Sequence, residues 1–194
     1  VAPASVLENW EREIRTFLAD ENITIINLLR DVPKGREELC AEADVTLCSY
    51  ESLARRDVEM GRIDWKLLAC DEASKIKNPS TRVAHAVKAM KADVRIAMTG
   101  TPVEVSLDEL WSITDFFQPG LLQSLKDFRT SFNNPRTLAE PAARDEATER
   151  LRHRLAPVLL RRLKSDLDMG LPELRVEYHD VEMSELQTQL YELV

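Results

Sequence analysis

The chain has 194 residues, 44% of them apolar and 31% charged, with 26 basic against 34 acidic side chains and a formal net charge of -8. That length and apolar fraction support one substantial domain with its own core and room for a small appended subdomain, while the negative balance excludes a protein that coats nucleic acid through bulk positive charge. No stretch approaches the roughly 18–20 apolar residues of a membrane span, and the first residues lack the basic and apolar regions of a signal peptide, so a cytoplasmic or nucleoid setting, nuclear in a eukaryote, is expected without a membrane partner.

Taken in order, Val1-Ala2-Pro3 reads as the end of a strand already under way. Ser5-Val6-Leu7-Glu8 has the form of a capping box, and Leu7, Trp10, Ile14, Phe17 and Leu18 follow at helical spacing, which predicts a helix from about Ser5 to Ala19. Thr24 to Leu29 and Val45 to Cys48 are strand candidates, alternating with helices over Arg36 to Ala43 and Tyr50 to Arg56. Leu67-Leu68-Ala69-Cys70 is a short apolar run closed by charge, the pattern of a strand buried on both faces of a parallel sheet. Asn78-Pro79 offers the next helix cap, with Val83, Ala86, Val87 and Met90 as the buried stripe. Val94 to Met98 is a further strand leading into Thr99-Gly100-Thr101-Pro102. Ser106 and Glu109 form a second capping box, opening a helix with Leu107, Leu110, Trp111 and Phe117 inward and its end at Pro119-Gly120. This alternation predicts an α/β fold, a parallel sheet with right-handed crossovers and helices on both faces.

After Gly120 the character changes to a helical protrusion without strands, including a charged helix from Ala142 to Leu155. Arg150, Arg152, Arg154, Arg161, Arg162 and Lys164 follow one another with no acid between them, either a localised basic surface or a solvated face that pairs with the excess acids. Val176, Tyr178 and Val181 alternate as a strand would, and Ser184 to Gln187 caps a last helix that is still running at Val194. Three regions result: 1–120, 121–170 and 171–194, expected to be a piece of a longer protein. Cys40, Cys48 and Cys70 have no C-x-x-C spacing and sit in or beside apolar segments, so reduced, buried thiols are expected; His85, His153 and His179 are too scattered for a metal cage.

The chemistry concentrates on Asp71-Glu72-Ala73-Ser74, where an apolar strand ends in two carboxylates. Acids so placed stand at the carboxyl edge of an α/β sheet, where such sheets bind ligands. An aspartate there suits Mg²⁺, which takes one or two carboxylates together with water and phosphates, and a neighbouring glutamate suits a water that attacks phosphorus. Taken alone, the pair reads first as a solvated strand terminus and Trp10 and Trp111 as core anchors, while Ser5 is equally well explained as a helix cap and Thr99-Gly100-Thr101 fits a tight turn.

Together, Pro3-Ala4-Ser5-Val6-Leu7-Glu8-Asn9-Trp10, Ser49-Tyr50-Glu51, Asp71-Glu72-Ala73-Ser74-Lys75-Ile76-Lys77-Asn78, Thr99-Gly100-Thr101-Pro102 and Asp108-Glu109-Leu110-Trp111 resemble the Swi/Snf-type family of superfamily-two helicase-like ATPases. Leu160-Arg161-Arg162-Leu163-Lys164-Ser165-Asp166 and the stretch from Leu171-Pro172 to Tyr191 extend the resemblance over essentially the whole chain. It implies the first of two RecA-like lobes, with ATP between them and double-stranded DNA across the other side, and DNA-bound proteins as further partners. By motif position it implies Asp71 on the Mg²⁺ of ATP, Glu72 on the hydrolytic water, Ser74, Thr99, Gly100 and Thr101 in coupling, and Ser5, Ser49, Tyr50, Lys75 and Lys77 on the duplex. Three departures stand out. Ser74 occupies a position where the family usually has histidine or glutamine, and Val105 one where asparagine is common. None of the glycines at 35, 61, 100, 120 and 170 begins a G-x-x-x-x-G-K-[ST] phosphate loop, so the 194 residues alone are expected to be inactive. The Ile76-Lys77-Asn78 extension, the Glu-Leu-Trp helix and the Arg-Arg-Leu-Lys-Ser-Asp block separate this reading from another superfamily-two helicase or a restriction-type translocase. A non-catalytic protein-docking domain is the alternative outside the motors.

Overall fold

The computed structural model describes residues 1–18, 22–101, 106–133, 140–162, 175–181 and 183–192. Parallel strand pairs set its frame: β1 (Ile25–Asn27) beside β2 (Val45–Leu47), and β3 (Asp64–Cys70) beside β4 (Lys91–Ala97). Val1 and Ala2 join the pairs. The Ala2 N–H donates to the Cys48 carbonyl (3.1 Å); on the other side the Val1 nitrogen donates to the Ala69 carbonyl (2.7 Å) and the Asp71 N–H donates to the Val1 carbonyl (2.8 Å). The strand end anticipated at Val1-Ala2-Pro3 therefore lies between β2 and β3.

Neighbouring residues on a strand point to opposite faces, and the packing follows that rule. Leu47 faces α1 (Leu7–Leu18), where it clusters with Ala2, Leu7 and Ile25. Cys48 faces the opposite way and shares the main core with Leu68 and Cys70. That core is closed by α2 (Tyr50–Arg55), α3 (Asp57–Met60), α4 (Arg82–Ala89) and α5 (Leu107–Phe117), through Leu53, Met60, Val87 and Phe116. All three cysteines are free and buried, as expected, and burial pushes the Cys70 thiol up to about 11. A second core joins Leu110 of α5 to Phe128 and Phe132 of α6 (Leu125–Phe132) and Leu151 of α7 (Pro141–Leu155). Val1–Pro157 form one compact unit; residues Val158–Val194 form a second unit, which carries α8 (Glu185–Glu192).

Several expectations are corrected. β3 is not buried on both faces: Leu67 is 52% exposed and its register partner Val94 53%, because α1 packs on the β2 side of that face. Neither Ser5 nor Ser106 caps with its side chain. The chain enters α1 through a 3-10 turn over Ala4–Val6, and Glu109 turns its carboxylate to Lys77 (3.4 Å) instead of back to its own helix. α4 starts at Thr81, whose Oγ1 accepts the Ala84 N–H (3.2 Å); Asn78 instead holds a turn, its Oδ1 accepting the Ser80 N–H (3.0 Å) and hydroxyl (2.7 Å). The helix anticipated over Arg36 to Ala43 is a 3-10 segment, Glu37–Ala41. Residues 175–181 form no strand, and Tyr178 is 90% exposed: alternation alone leaves backbone groups unpaired unless a neighbouring strand receives them. α8, by contrast, is boxed as read, with Ser184 Oγ accepting the Gln187 N–H (3.4 Å) and Gln187 Oε1 accepting the Ser184 N–H (3.0 Å). Ala19, Pro102, Val105, residues 163–174 and Val194 lie outside the described residues.

Phe116 anchors the main core with no exposed surface, and Arg95 stacks over its ring (5.8 Å) while donating to the Phe116 carbonyl (3.1 Å) and the Met90 carbonyl (2.6 Å). Phe116→Ala is expected to cost about 3–5 kcal/mol of stability in urea unfolding, since the cavity and the lost transfer term add; a loss under about 1 kcal/mol would show that this core is not the one that holds the domain.

Candidate active site

β3 and β4 run parallel, so the loops that follow them leave from the same rim. Two backbone bonds continue the pairing past the strand ends: the Met98 N–H donates to the Cys70 carbonyl (2.8 Å), and the Ala73 N–H donates to the Met98 carbonyl (2.8 Å). They bring Asp71, Glu72 and Ser74 beside Thr99, Gly100 and Thr101, the juxtaposition that the sequence implied for chemistry and coupling.

Asp71 is half-buried and engaged at every polar group. Its N–H donates to Val1, and its carbonyl accepts the Tyr50 hydroxyl (2.7 Å). Its Oδ1 accepts the Glu72 N–H (2.9 Å), and its Oδ2 accepts the indole N–H of Trp10 on α1 (2.8 Å). An ionised carboxylate has about four lone-pair sites, so each oxygen keeps room for one further donor. Glu72 follows in the left-handed region, φ 51° and ψ 53°, where a side chain crowds the backbone. Its Oε1 accepts the Ser74 hydroxyl (2.8 Å), so Ser74 engages the second acid directly. Thr99 holds its own turn, Oγ1 accepting the Thr101 N–H (3.2 Å), while Gly100 is exposed.

The residues assigned to duplex contact separate into two groups. Ser5 and Lys75 are exposed. Ser49 and Tyr50 are not: Ser49 Oγ caps α2 by accepting the Ser52 N–H (3.1 Å), and Tyr50 is 1% exposed beneath Asp71. Burial pushes the Tyr50 hydroxyl far above its ordinary value, so it remains a donor. In this structure these two side chains serve the cap of α2 and the support of Asp71. Lys77 spends charge on Glu109. The basic run is also partly neutralised, with Arg150 near Glu146 (3.8 Å), Arg152 on Glu149 (2.5 Å), and Arg154 over the Phe132 ring (5.7 Å). Sequence reading missed the Trp10 and Tyr50 bonds to Asp71; they span 61 and 21 residues, and no local spacing signals them.

Among the described residues no group of three or more His, Cys, Asp or Glu side chains is placed to hold a metal ion. A lone, oriented carboxylate beside hydroxyl groups suits Mg²⁺ carried by a nucleotide, because that ion keeps most of its shell as water and phosphate oxygen. Asp71 also borders a cavity of about 1070 Å³ between β2 and β3, walled by Trp10, Ile14, Leu47, Trp65 and Leu67. The charged lining of this cavity is mostly acidic, with Glu37, Glu38, Asp44, Glu59 and Asp64 against Arg62 and Lys66, and offers no cluster of cations for a triphosphate.

A parallel-sheet lobe with a fixed aspartate, an adjoining glutamate and a Thr-Gly-Thr turn on one rim is RecA-like in build. The SNF2-related domain matches residues 1–194, and the chain belongs to that family. It is 36% identical over 216 residues to the Zorya protein ZorD of Escherichia coli O139:H28 (98% of this chain, 20% of that protein). It is 39% identical over 198 residues to the putative ATP-dependent helicase/translocase YwqA of Bacillus subtilis (99% and 21%), so the chain spans about a fifth of these curated relatives. The fold is similar to the Sulfolobus solfataricus SWI2/SNF2 ATPase core in complex with dsDNA, with TM-score 0.68 and 36% identity over 83% of this chain and 32% of that one.

The strain at Glu72 yields a stability test. Glu72→Gly removes a side chain from the left-handed region and is expected to stabilise the domain by about 1 kcal/mol in urea unfolding, whereas Glu72→Gln keeps the strain and leaves stability within about 0.5 kcal/mol. Equal midpoints for the two variants would show that residue 72 carries no such strain.

Proposed function

We propose that this chain is part of the first lobe of an ATP-dependent double-stranded DNA translocase, and that it supplies the acid pair of the nucleotide site. The observation that carries this reading is the clamped Asp71 on the sheet's carboxyl rim, next to Glu72 and the Thr99 turn. Asp71 would hold Mg²⁺ of bound ATP through a carboxylate oxygen or a metal-bound water; the ion would spread the charge of the phosphoryl group in transfer. Glu72 orients the attacking water and accepts its proton, and Ser74, donating to the same carboxylate, sets which oxygen faces the water. Thr99, Gly100 and Thr101 leave the same rim and link the nucleotide to movement of the second RecA-like lobe elsewhere in the protein.

Duplex contact is assigned to Ser5 and Lys75, which are exposed, with backbone amides as further donors to phosphates. The Sulfolobus solfataricus relative is an ATPase core in complex with dsDNA, which supports the duplex as the kind of partner. DNA-bound proteins are the objects such a motor would move.

In the full-length protein, ATP hydrolysis is expected to rise on addition of duplex DNA. Glu72→Gln is expected to lower kcat by about 10²–10⁴-fold while nucleotide affinity stays close to wild type. Unaltered turnover in that variant would remove Glu72 from the chemistry, and absence of any hydrolysis in the full-length protein would favour a docking domain. The 194 residues alone, which contain no G-x-x-x-x-G-K-[ST] loop, are expected to show negligible hydrolysis with or without duplex; turnover at the full-length rate would overturn that expectation.

A further inference from the structure

The three tryptophans of this chain use their indole N–H groups differently. Trp65 donates to the Met60 carbonyl (3.3 Å) and Trp111 to the Gln123 carbonyl (3.1 Å), the ordinary way to satisfy a half-buried indole. Trp10 donates to Asp71 Oδ2 at 2.8 Å, a carboxylate on the rim of the sheet. Packing does not require this choice. Trp10 lies with Leu7 and Ile14 on the apolar face of α1, where phenylalanine or leucine would fill the same space without a donor.

We propose that Trp10 is a positioning residue for Asp71 and that it ties the metal-binding carboxylate to helix α1. The inference rests on the reading of Asp71 as the Mg²⁺ ligand. Among the described residues Trp10 is the one side chain that donates to the Asp71 carboxylate, Tyr50 donating to the backbone carbonyl instead; the other donor to that carboxylate, the Glu72 N–H, belongs to the same turn and moves with it. The local bond holds one oxygen, and only relative to the turn that both residues share. The indole fixes the second oxygen from a separate element, so the carboxylate plane is set by where α1 lies against the sheet. α1 is entered through Ala4–Val6, which carries the exposed Ser5 assigned to the duplex. A shift of α1 under load from DNA is therefore carried by one hydrogen bond to the oxygen next to the metal position. Partners one shell out from a metal typically change its affinity by 10–100-fold when removed, through orientation of the ligand.

The test uses the full-length protein and binding of a fluorescent ATP analogue, titrated with Mg²⁺ and separately with Mn²⁺. Trp10→Phe retains the ring and loses the donor; replacement of Trp10 by benzothienylalanine, with sulfur in place of the N–H, retains the bicyclic shape as well and covers a phenylalanine variant that packs poorly. Both are expected to raise the half-saturating metal concentration about tenfold, with nucleotide affinity at saturating metal unchanged. Asp71→Ala serves as the reference and is expected to raise it further. Wild-type metal dependence in both tryptophan variants, alongside a raised value for Asp71→Ala, would overturn the proposal and leave Trp10 as packing. An unshifted Asp71→Ala would overturn the magnesium reading itself, and the role of Trp10 with it.

Discussion

Everything in this lobe that bears on chemistry depends on the way Asp71 is held. Its backbone N–H, its carbonyl and both carboxylate oxygens each have a partner, and these come from Val1, Tyr50, Glu72 and Trp10. Hydrogen bonds to an ionised group contribute about 1.5–3 kcal/mol each, and loss of a buried partner leaves a polar group unsatisfied. The arrangement therefore resists distortion in every direction at once. In the role proposed for Asp71, a carboxylate held in this way would need little reorganisation when charge develops on a phosphate. The partners also explain the joining of the two strand pairs: Val1 and Ala2 bond β2 on one side and β3 on the other, and the last of those bonds is to Asp71.

Glu72 shows the complementary principle. Rigid neighbours permit a residue to occupy a poor conformation, and Glu72 sits at φ 51° between the fixed Asp71 and Ala73, whose N–H is bonded to Met98. Glycine would relax this position, yet glycine has no carboxylate. The Ser74 hydroxyl then holds that carboxylate from two residues ahead. Ser74 thus has a local use at the site.

Much of the fold could be read from the chain because its elements are specified locally. The alternation of apolar runs with helical stripes located β1 through β4 and the helices α1, α2, α4 and α5, though not the short α3, and the apolar run closing in Asp71-Glu72 located the rim. The misreadings have a common physical origin. Ser5, Ser106 and Asn78 all have residue types that cap helices, but whether a side chain caps depends on the path by which the backbone enters, and a 3-10 turn at Ala4–Val6 or an Asx turn at Asn78 uses the same atoms otherwise. Tyr50 was assigned outward because of the motif it belongs to, while the structure uses its ring as core and its hydroxyl as a prop under Asp71. Bonds across 61 or 21 residues leave no periodic trace.

The distribution of cations bears on how the proposed translocase would grip DNA. Lys77 faces Glu109, Lys88 faces Asp115 (2.9 Å), Arg129 faces Asp108 (2.7 Å), and the arginines at 150 and 152 face acids of their own helix. With a net charge of -8 over the chain, such pairing leaves little unbalanced positive field to draw a duplex from a distance. Contact must then be made at short range, by hydroxyls, amides and a few exposed cations such as Lys75, and contacts of that kind orient a backbone without reading bases. A motor that advances along DNA has to release each phosphate it has just held. Cations that are paired within the protein make release easier, and in the proposed translocase they would transfer part of the work of gripping to geometry that the nucleotide-dependent movement of the lobes can switch on and off.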